Sequence, residues 1–367
     1  MKKLFKLLLS ITVSLSFFSC SDNDDPNPII DPVIDEANGA YILNRGSYYD
    51  GIDGSVNYVN LETGLNTPDI FMSVNGRSLG AGPNSMAVWG DFLYILVYES
   101  NTMEIVDRNT MMLVKQIKFD GTGGIEGSGP RHIAMSDTKA YITMFDGYVI
   151  SFDCLTLKCE HSLAVGDNPE GIAIVDDYIY VAISGGMNYM LNKPYDNKMV
   201  KIDKRNFTVE KKFEVGLNPT DVVTNGTDLF VLCMGNYEDV DAAVYKVSGD
   251  TSFKFAPATL IAIDNNYLYA INAPWSSTEP VSYLKYPVNN SSNPTSFVAA
   301  GEEVDSPNAI AVEPVSGNVF VASVRLENGW PSYTTDGYYC IYSPDGQKLD
   351  EGETGIDPYA IVFNYKN

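Results

Sequence analysis

The sequence predicts an all-β fold built from seven copies of one unit, and three observations predict it. First, a Pro-x-x-aliphatic motif occurs seven times in the 367-residue chain. Second, each motif begins a pair of short runs rich in β-branched and aromatic residues, which is typical of paired strands. Third, no segment after the N-terminus shows a sustained helical period. The repeat is about 40–50 residues long, the length of one β-propeller blade, so we expect a seven-bladed β-propeller of four-stranded antiparallel blades.

The repeated motif fixes the first two strands of each blade. Its copies begin at Pro83, Pro130, Pro169, Pro219, Pro257, Pro307 and Pro358. In the first copy, the apolar runs 86–88 and 92–97 are separated by Gly90 and Asp91, residues that favour a tight turn. Both runs are almost continuously apolar, as expected of strands buried on both faces. Each motif therefore predicts the start of an innermost strand and the hairpin that follows it.

A second recurring turn predicts the two outer strands. In four repeats an Asp or Asn is followed three residues later by Thr or Asn, and these turns begin at Asn60, Asp107, Asp153 and Asp203. The side chain at the first position can accept a hydrogen bond from the backbone two residues on, which closes a hairpin. We expect these residues to have only this structural role.

The phase of the repeat predicts how the ring closes. Residues 358–363 form a first strand with no chain left to complete a blade, whereas residues 39–44 form a second strand with no first strand before it. The C-terminal strand is therefore expected to join the N-terminal blade. That pairing closes the ring and removes two exposed sheet edges.

The N-terminal segment has the features of an export signal. Residues 1–19 have a basic start and an apolar core, and together with Cys20 they look like a bacterial lipoprotein signal peptide in which Cys20 becomes lipidated. The acidic run 21–25 resembles the surface-export tag of Bacteroidetes lipoproteins, and residues 20–38 are predicted to be a flexible tether. The propeller then spans 39–367. We expect a location on the outer surface of the outer membrane, with membrane contact through the Cys20 lipid only.

Composition excludes several classes of function. The formal net charge is −23, which argues against nucleic acid and anionic lipid surfaces as partners. The sequence contains no nucleophile elbow, phosphate loop or dinucleotide fingerprint, and no Cys/His cluster with metal-ligand spacing. We therefore expect a protein that is not an enzyme and has no resident cofactor or metal. Residues 50–54 carry two aspartates but lack the full ligand series of a calcium loop, and a solvated loop is the stronger interpretation.

Four cysteines lie within the predicted propeller. Cys154 and Cys159 flank the outer hairpin turn of the third blade and could form a disulfide in an oxidising compartment. A reduced pair is the alternative. Cys233 and Cys340 lie in strand-like runs and are predicted to be buried thiols.

Large aromatic residues are concentrated on one predicted face of the disc. In a four-stranded blade, the connections between blades and the loops between the second and third strands emerge on the same face, here called the loop face. The aromatic residues of those loops are Tyr48, Tyr49, Tyr98, Phe145, Tyr189, Tyr195, Tyr237, Trp275, Trp330 and Tyr333. Two of the loops, 185–198 and 326–337, are longer than a hairpin needs. Because loops on a rigid scaffold commonly carry binding residues, we predict that this aromatic rim binds ligand.

The residue after each repeat proline should begin an innermost strand at the mouth of the central channel. These residues, with two neighbours, are Asn84, Arg131, His132, Glu170, Thr220, Asp221, Ala258, Asn308 and Tyr359. Asn and Thr can also serve there as simple strand caps, but Arg131 is a fixed cation in an acidic protein. A polar ring inside an aromatic rim suits a large amphipathic ligand with amide or hydroxyl edges. We predict ligand binding by Asn84, Arg131, His132, Glu170, Asn308 and Tyr359, together with the rim.

Over residues 39–367 the repeats make the chain resemble the YncE-like seven-bladed propellers. With the lipoprotein signal and the Ser-Asp-Asn-Asp-Asp run before them, it is most similar within that group to the BtuG-like cobalamin-binding surface lipoproteins of Bacteroidetes. The resemblance implies capture of a corrinoid and its transfer to a TonB-dependent outer-membrane transporter.

Two other functions remain open at this point. The first is a surface glycan-binding protein working with a carbohydrate importer, in which Trp275, Trp330 and Tyr333 would stack on sugar rings. The second is a propeller lyase or lactonase, which would need a metal or an acid–base cluster at the channel mouth that the sequence does not display.

Overall fold

The strands pair into seven four-stranded antiparallel sheets, and the fold class predicted from the repeats is confirmed. The computed structural model describes residues 38–274 and 280–365. The predicted signal peptide, Cys20 and most of the predicted tether lie outside the described residues, as does Trp275.

The first three blades are numbered I to III in chain order. Blade I begins with β1 (Asn38–Asn44), β2 (Ser55–Asn60) and β3 (Asn66–Thr67), followed by helix α1 (Ile70–Asn75). Blade II contains β4 (Pro83–Trp89), β5 (Phe92–Val97), β6 (Thr102–Asp107) and β7 (Leu113–Lys118). A 3₁₀ turn (Thr122–Gly124) leads to blade III, with β8 (Pro130–Ser136), β9 (Lys139–Met144), β10 (Tyr148–Asp153) and β11 (Lys158–Ala164).

Blades IV to VII follow with the same order of strands. Blade IV contains β12 (Pro169–Val175), β13 (Tyr178–Ile183), β14 (Lys198–Asp203) and β15 (Thr208–Glu214), with a 3₁₀ turn (Asn188–Leu191) between β13 and β14. Blade V contains β16 (Pro219–Thr224), β17 (Leu229–Cys233), β18 (Ala243–Ser248) and β19 (Thr251–Pro257). Blade VI contains β20 (Leu260–Ile263), β21 (Tyr267–Asn272), β22 (Ser282–Pro287) and β23 (Thr295–Ser296). Blade VII contains β24 (Ser306–Val312), β25 (Val319–Val324), the small hairpin β26 (Leu326–Glu327) and β27 (Trp330–Pro331), then β28 (Asp336–Tyr342) and β29 (Lys348–Ile356).

The last strand closes the ring as the repeat phase predicts. Strand β30 (Pro358–Tyr365) pairs antiparallel with β1, placing Asn38 opposite Tyr365 and Ile42 opposite Ile361. Blade I therefore has the order β30-β1-β2-β3 from the centre outward. The innermost strands β30, β4, β8, β12, β16, β20 and β24 contact one another in sequence around the axis.

The core is divided among the seven interfaces between adjacent blades. The apolar runs of the second strands are buried on both faces, and each blade packs its side chains against the next to give seven separate clusters among the described residues. Strand β5 is typical, because its residues 93–97 are all buried. Removing this apolar surface from water is the main favourable term in the stability of the ring.

Helix α1 is the one α-helix of the described residues, and the sequence patterns did not predict it. It buries Ile70 and Phe71 in the cluster between blades I and II, beside the two-residue strand β3. Asp69 caps its N-terminus by accepting a hydrogen bond from the Met72 N–H at 3.3 Å, and Gly76 ends it with a φ of 65°. Six residues are too few to display a helical period.

The predicted outer turns are confirmed, and they lie on the face opposite the loop face, here called the turn face. Asp107 accepts hydrogen bonds from the N–H groups of Asn109 at 3.0 Å and Thr110 at 2.9 Å. Asn60 and Asp153 accept the corresponding pairs of N–H groups, and Asp203 accepts from the Arg205 N–H at 2.9 Å. These hydrogen bonds satisfy backbone donors that would otherwise have no partner in the turn.

The disulfide considered between Cys154 and Cys159 is not formed in the structure, where both residues are free thiols. Cys159 lies opposite Phe152 in the β10–β11 pair, so the two cysteines are not cross-strand partners. Cys154 is instead buried in the apolar cluster between blades II and III, where burial raises the pKa of its thiol. Cys233 and Cys340 are buried thiols, as predicted.

Candidate functional site

A central cavity of about 800 Å³ is lined by residues from all seven blades. Six of the seven predicted ring positions line it: Asn84, Arg131, Glu170, Thr220, Asn308 and Tyr359. The exception is Ala258, which is fully buried. In this repeat Pro257 ends the outer strand of blade V, and the innermost strand starts only at Leu260. Thr259 therefore takes the place that the motif spacing assigned to Ala258.

Arg131 is held rigidly at the edge of the cavity. Its Nε donates to Glu170 Oε2 at 2.7 Å. Its guanidinium carbon lies 5.0 Å from the ring centroid of Tyr98 and 5.3 Å from that of Phe145, which is cation–π distance. The two rings pack edge to face at 5.6 Å. Tyr98 and Phe145, predicted as rim residues, thus support Arg131, and neither lines the cavity.

His132 and Glu170 share the environment of Arg131. His132 Nε2 lies 3.9 Å from Glu170 Oε2. Burial, with a further contribution from the Arg131 charge, lowers the pKa of His132 to about 3, so its ring is neutral at physiological pH. Burial raises the pKa of Glu170, although Arg131 opposes the rise. Thr143 donates through its hydroxyl to the Glu170 carbonyl at 2.7 Å, which ties blade III to blade IV.

A second arginine, Arg45, was missed by the sequence analysis. It follows β1 on the loop face, and its Nε donates to Asp357 Oδ2 at 2.7 Å. Its guanidinium carbon stacks 3.9 Å from the Tyr359 ring centroid. Asn308 Nδ2 completes the network by donating to Asp357 Oδ1 at 2.7 Å and to the Pro358 carbonyl at 2.9 Å. Burial lowers the pKa of Arg45, but Tyr359 and Asp357 outweigh it, so the net pKa is raised.

The residue before the repeat proline is the sequence signal that could have pointed to Asp357. It adopts a positive φ in five of the seven copies: Gly82, Gly129, Asn168, Asn218 and Asp357. Gly, Asn and Asp are the residues that tolerate this conformation best. At this recurring position Asp357 lies beside the channel mouth, where its carboxylate can form an ion pair with an arginine such as Arg45.

Asp221 gives blade V an acidic group in the cavity. Its Oδ1 accepts from the Val222 N–H at 2.8 Å. Burial, aided by the neighbouring Glu170, raises the pKa of Asp221 to about 6. Each arginine at the channel mouth is thus paired with a carboxylate, Arg45 with Asp357 and Arg131 with Glu170, and Asp221 adds a further acidic group on blade V.

Aromatic residues of blades IV and V form a row that reaches the cavity. Tyr195 lies between Tyr189 and Tyr237, with ring centroids 6.4 and 6.0 Å away. Tyr237 lines the cavity and adopts a φ of 60°, an uncommon conformation for a bulky residue. Three N–H groups that donate to Asn236 Oδ1 hold this loop. Tyr48 and Tyr49 are exposed on blade I and pack against each other at 5.6 Å.

A smaller cavity of about 310 Å³ adjoins the central one on blades VI and VII. It is lined by Trp330 and Tyr333 from the long loop of blade VII, whose residues are 66% and 40% exposed. The two cavities share Ala273, Pro307 and Asn308, so they form one continuous concave surface. Trp275 lies outside the described residues.

The structure thus divides the predicted site residues into groups. Asn84, Arg131, His132, Glu170, Tyr237, Asn308 and Tyr359 line the central cavity, while Trp330 and Tyr333 line its neighbour. Tyr48, Tyr49, Tyr189 and Tyr195 lie outside both cavities. Within the described residues, no group of three or more His, Cys, Asp or Glu side chains could hold a metal ion. The same residues contain no helix long and apolar enough to span a membrane.

Seven four-stranded blades closed around a concave central surface define a seven-bladed β-propeller with a candidate ligand-binding face. The chain belongs to the DUF5074 family, described as a domain of unknown function, whose model matches residues 38–351. No curated protein matches the sequence.

Solved structures with the same architecture are numerous. A functionally unknown protein from Desulfotomaculum acetoxidans DSM 771 has a TM-score of 0.59 at 11% identity, covering 90% of this chain and 100% of its own. Hydrazine synthase of Kuenenia stuttgartiensis has a TM-score of 0.52 at 15% identity, covering 73% and 86%. The β-propeller domain of Myceliophteria thermophila Cps50 (Swd1) has a TM-score of 0.53 at 11% identity, covering 76% and 91%. Identities this low establish a shared fold.

Proposed function

We propose that the protein binds a large amphipathic small molecule at the centre of its loop face and does not transform it. The observation that carries the proposal is the continuity of the two cavities, of about 800 and 310 Å³, through Ala273, Pro307 and Asn308. Small-molecule sites are typically concave, with a few fixed polar groups among apolar walls. Arg45, Arg131 and Asn308 provide such groups beside the aromatic rings.

The candidate site is supported by side chains that are already fixed. Arg131 is bonded to Glu170 and packed on Tyr98, while Arg45 is bonded to Asp357 and stacked on Tyr359. A ligand that meets preorganised groups loses less conformational entropy on binding. Such a site is suited to tight capture of a dilute ligand.

We propose a corrinoid such as cobalamin as the ligand and a TonB-dependent outer-membrane transporter as the acceptor of the captured ligand. The support is the resemblance to the BtuG-like surface lipoproteins, carried by the repeats and the N-terminal signal. A corrinoid is a broad macrocycle edged with amide groups, and it matches a wide polar centre surrounded by Tyr and Trp. Lipidation of Cys20 would keep the protein on the outer membrane beside its transporter.

Calorimetry with the propeller alone tests this proposal. Residues 36–367 include every strand of the closed ring, so this fragment should fold. Titration with cyanocobalamin is expected to give a dissociation constant of nanomolar or below, which corresponds to about −12 kcal/mol or stronger. Absence of cobalamin heat would contradict the corrinoid assignment.

A surface glycan-binding protein is the second candidate, and one observation favours it. Trp330 and Tyr333 present exposed aromatic surface beside the smaller cavity, and such rings can stack on sugars. A panel of glycans titrated under the same conditions distinguishes the two. Micromolar glycan binding without cobalamin binding would select this alternative.

A further inference from the structure

The two arginines at the channel mouth have unused hydrogen-bond donors. Arg45 and Arg131 each donate to a carboxylate through Nε, at 2.7 Å in both cases. Among residues 38–274 and 280–365, no acceptor is bonded to the Nη groups of either arginine. Each guanidinium can donate five N–H groups in a fixed plane, so most of this capacity is unfilled beside the cavity.

Asn84 adds a third unpaired group between the arginines. It is the second residue of β4, which lies between β30 with Tyr359 and β8 with Arg131 in the central ring. Asn84 lines the central cavity and is only 4% exposed. Its Nδ2 is buried without a partner, which is unfavourable for a polar group. Rotation of the amide about its last torsion exchanges the nitrogen and the oxygen, so the donor can be turned toward the cavity.

The cations are more accessible than the carboxylates that pair with them. The side chains of Arg45 and Arg131 are 31% and 18% exposed, whereas those of Asp357 and Glu170 are both 8% exposed. Asp357 does not line the cavity, and Glu170 lines it beside Arg131 with less of its side chain exposed. The guanidinium group is therefore the more accessible member of each ion pair and presents N–H donors to the cavity.

We propose that Arg45, Asn84 and Arg131 form an oxyanion subsite that binds a carboxylate or phosphate group of the ligand. Planar guanidinium groups pair well with the oxygens of both anions. The subsite deepens the proposed function, because it names the part of the ligand that enters the channel mouth. It also gives the unpaired Asn84 a partner that the described residues do not provide.

Titration with free anions tests the subsite without a corrinoid. Sodium phosphate and sodium acetate are compared with sodium chloride at equal ionic strength and pH 7.5, by calorimetry and by the melting temperature. We expect phosphate or acetate to bind the wild-type protein and raise its melting temperature beyond chloride. The stronger of the two anions identifies the preferred oxyanion.

Two variants and one control locate the binding. Asn84→Leu removes the donors and should weaken anion binding on the order of tenfold without lowering the melting temperature, because Asn84 Nδ2 has no hydrogen-bond partner among the described residues. Arg131→Lys keeps the charge but loses the planar donors, and should weaken binding to a similar degree. As the control, Arg205→Lys makes the same change at an arginine that pairs with Asp203 on the turn face and lines neither cavity, so it should leave the anion affinity within about twofold.

Each outcome decides between the proposals. No anion effect beyond chloride, or an effect that survives both Asn84→Leu and Arg131→Lys, would overturn the oxyanion subsite. Cobalamin binding in a protein that ignores free anions would leave the proposed function standing and remove the subsite. Anion binding without cobalamin binding would leave the oxyanion subsite standing and contradict the corrinoid assignment.

Discussion

Asp221 is a single residue whose ionisation should be measurable in the stability of the whole ring. Burial raises its pKa from 3.8 to about 6, so the folded protein disfavours the carboxylate. Replacing Asp221 with Asn removes this penalty while an oxygen can still accept from the Val222 N–H. We expect the free energy of unfolding at pH 7.5 to rise, by at most about 3 kcal/mol.

The sign of the effect sets the pH window for Asp221→Asn. A carboxyl with a raised folded-state pKa carries no penalty below its unfolded pKa, and its destabilising effect grows as the pH rises from about 4 to 6. The variant and the wild type should therefore be equally stable near pH 3.5 and diverge above it. Urea unfolding at both pH values measures this. An equal difference at both would show that ionisation of Asp221 is not responsible.

Trp330 and Tyr333 are the residues whose removal should affect ligand binding most directly. Both line the smaller cavity and retain substantial exposure, so truncating them leaves little core unfilled. The double change Trp330→Ala and Tyr333→Ala should weaken ligand binding by about 2–4 kcal/mol, the range of aromatic interface anchors. The melting temperature should change little. Calorimetry and thermal unfolding of the same samples provide the two values.

The matched control lies on the turn face. Asp107→Ala with Asp203→Ala removes side chains that close outer hairpins, so some stability should be lost. Ligand affinity should be unaffected, because no residue of these turns lines either cavity. If this pair abolished binding while the aromatic pair did not, the assignment of the binding face would be inverted.

At the scale of an element, the connection between blades II and III positions Arg131. A Cβ atom at Gly129 would lie 2.8 Å from Tyr98 Cε2 and 3.2 Å from Phe145 Cβ. Gly129→Ala should therefore displace the rings that support Arg131. We expect a loss of about 1–3 kcal/mol in stability together with weaker ligand binding.

Gly121 in the same connection separates the steric effect from backbone strain. Its φ of 78° resembles the 71° of Gly129, but a Cβ there would meet nothing within 4 Å. Gly121→Ala should impose a similar conformational penalty without moving Tyr98 or Phe145. Ligand affinity measured for both variants should fall only in Gly129→Ala. Equal affinities would mean that the rings do not position Arg131.

Some elements could be predicted from sequence and others could not, for physical reasons. The repeat proline and the Asp turns act locally, so short motifs reveal them. Arg45 and Asp357 are 312 residues apart and meet only because the ring closes, so no local pattern marks the pair. Blade VI departs from the motif because Pro257 pairs with blade V as the last residue of β19. The cavity-lining position therefore moves by one residue, from Ala258 to Thr259, and the motif alone could not show this.

At the scale of the whole molecule, β30 is expected to be essential for folding. It supplies the innermost strand of blade I, and its residues pack in the clusters on both sides of that blade. Deleting residues 358–367 should therefore abolish the cooperative thermal transition and the near-ultraviolet circular dichroism. Deleting residues 1–37, which precede β1, should preserve both. If the protein without β30 still showed a cooperative transition, closure of the ring by this strand would not be essential for folding.

The proposed membrane attachment is tested separately from binding. Cys20→Ala should release the protein from the membrane fraction because the lipid is its expected anchor. Ligand affinity should remain unchanged, since Cys20 precedes the propeller. Fractionation of cells expressing the variant measures the first outcome. Retention in the membrane fraction would mean that the signal is not a lipoprotein signal or that protein contacts suffice.

Because Asn38 pairs with Tyr365, the first and last strands of the propeller have their outer ends side by side. Both leave on the turn face, behind the candidate site, and strands of six or seven residues separate the two sides by about 20 Å. The chain therefore enters and leaves the propeller on the side of the disc away from the cavity. If the propeller is anchored through Cys20 as proposed, capture and delivery to a transporter in the same membrane would differ in which face of the disc is turned toward that membrane.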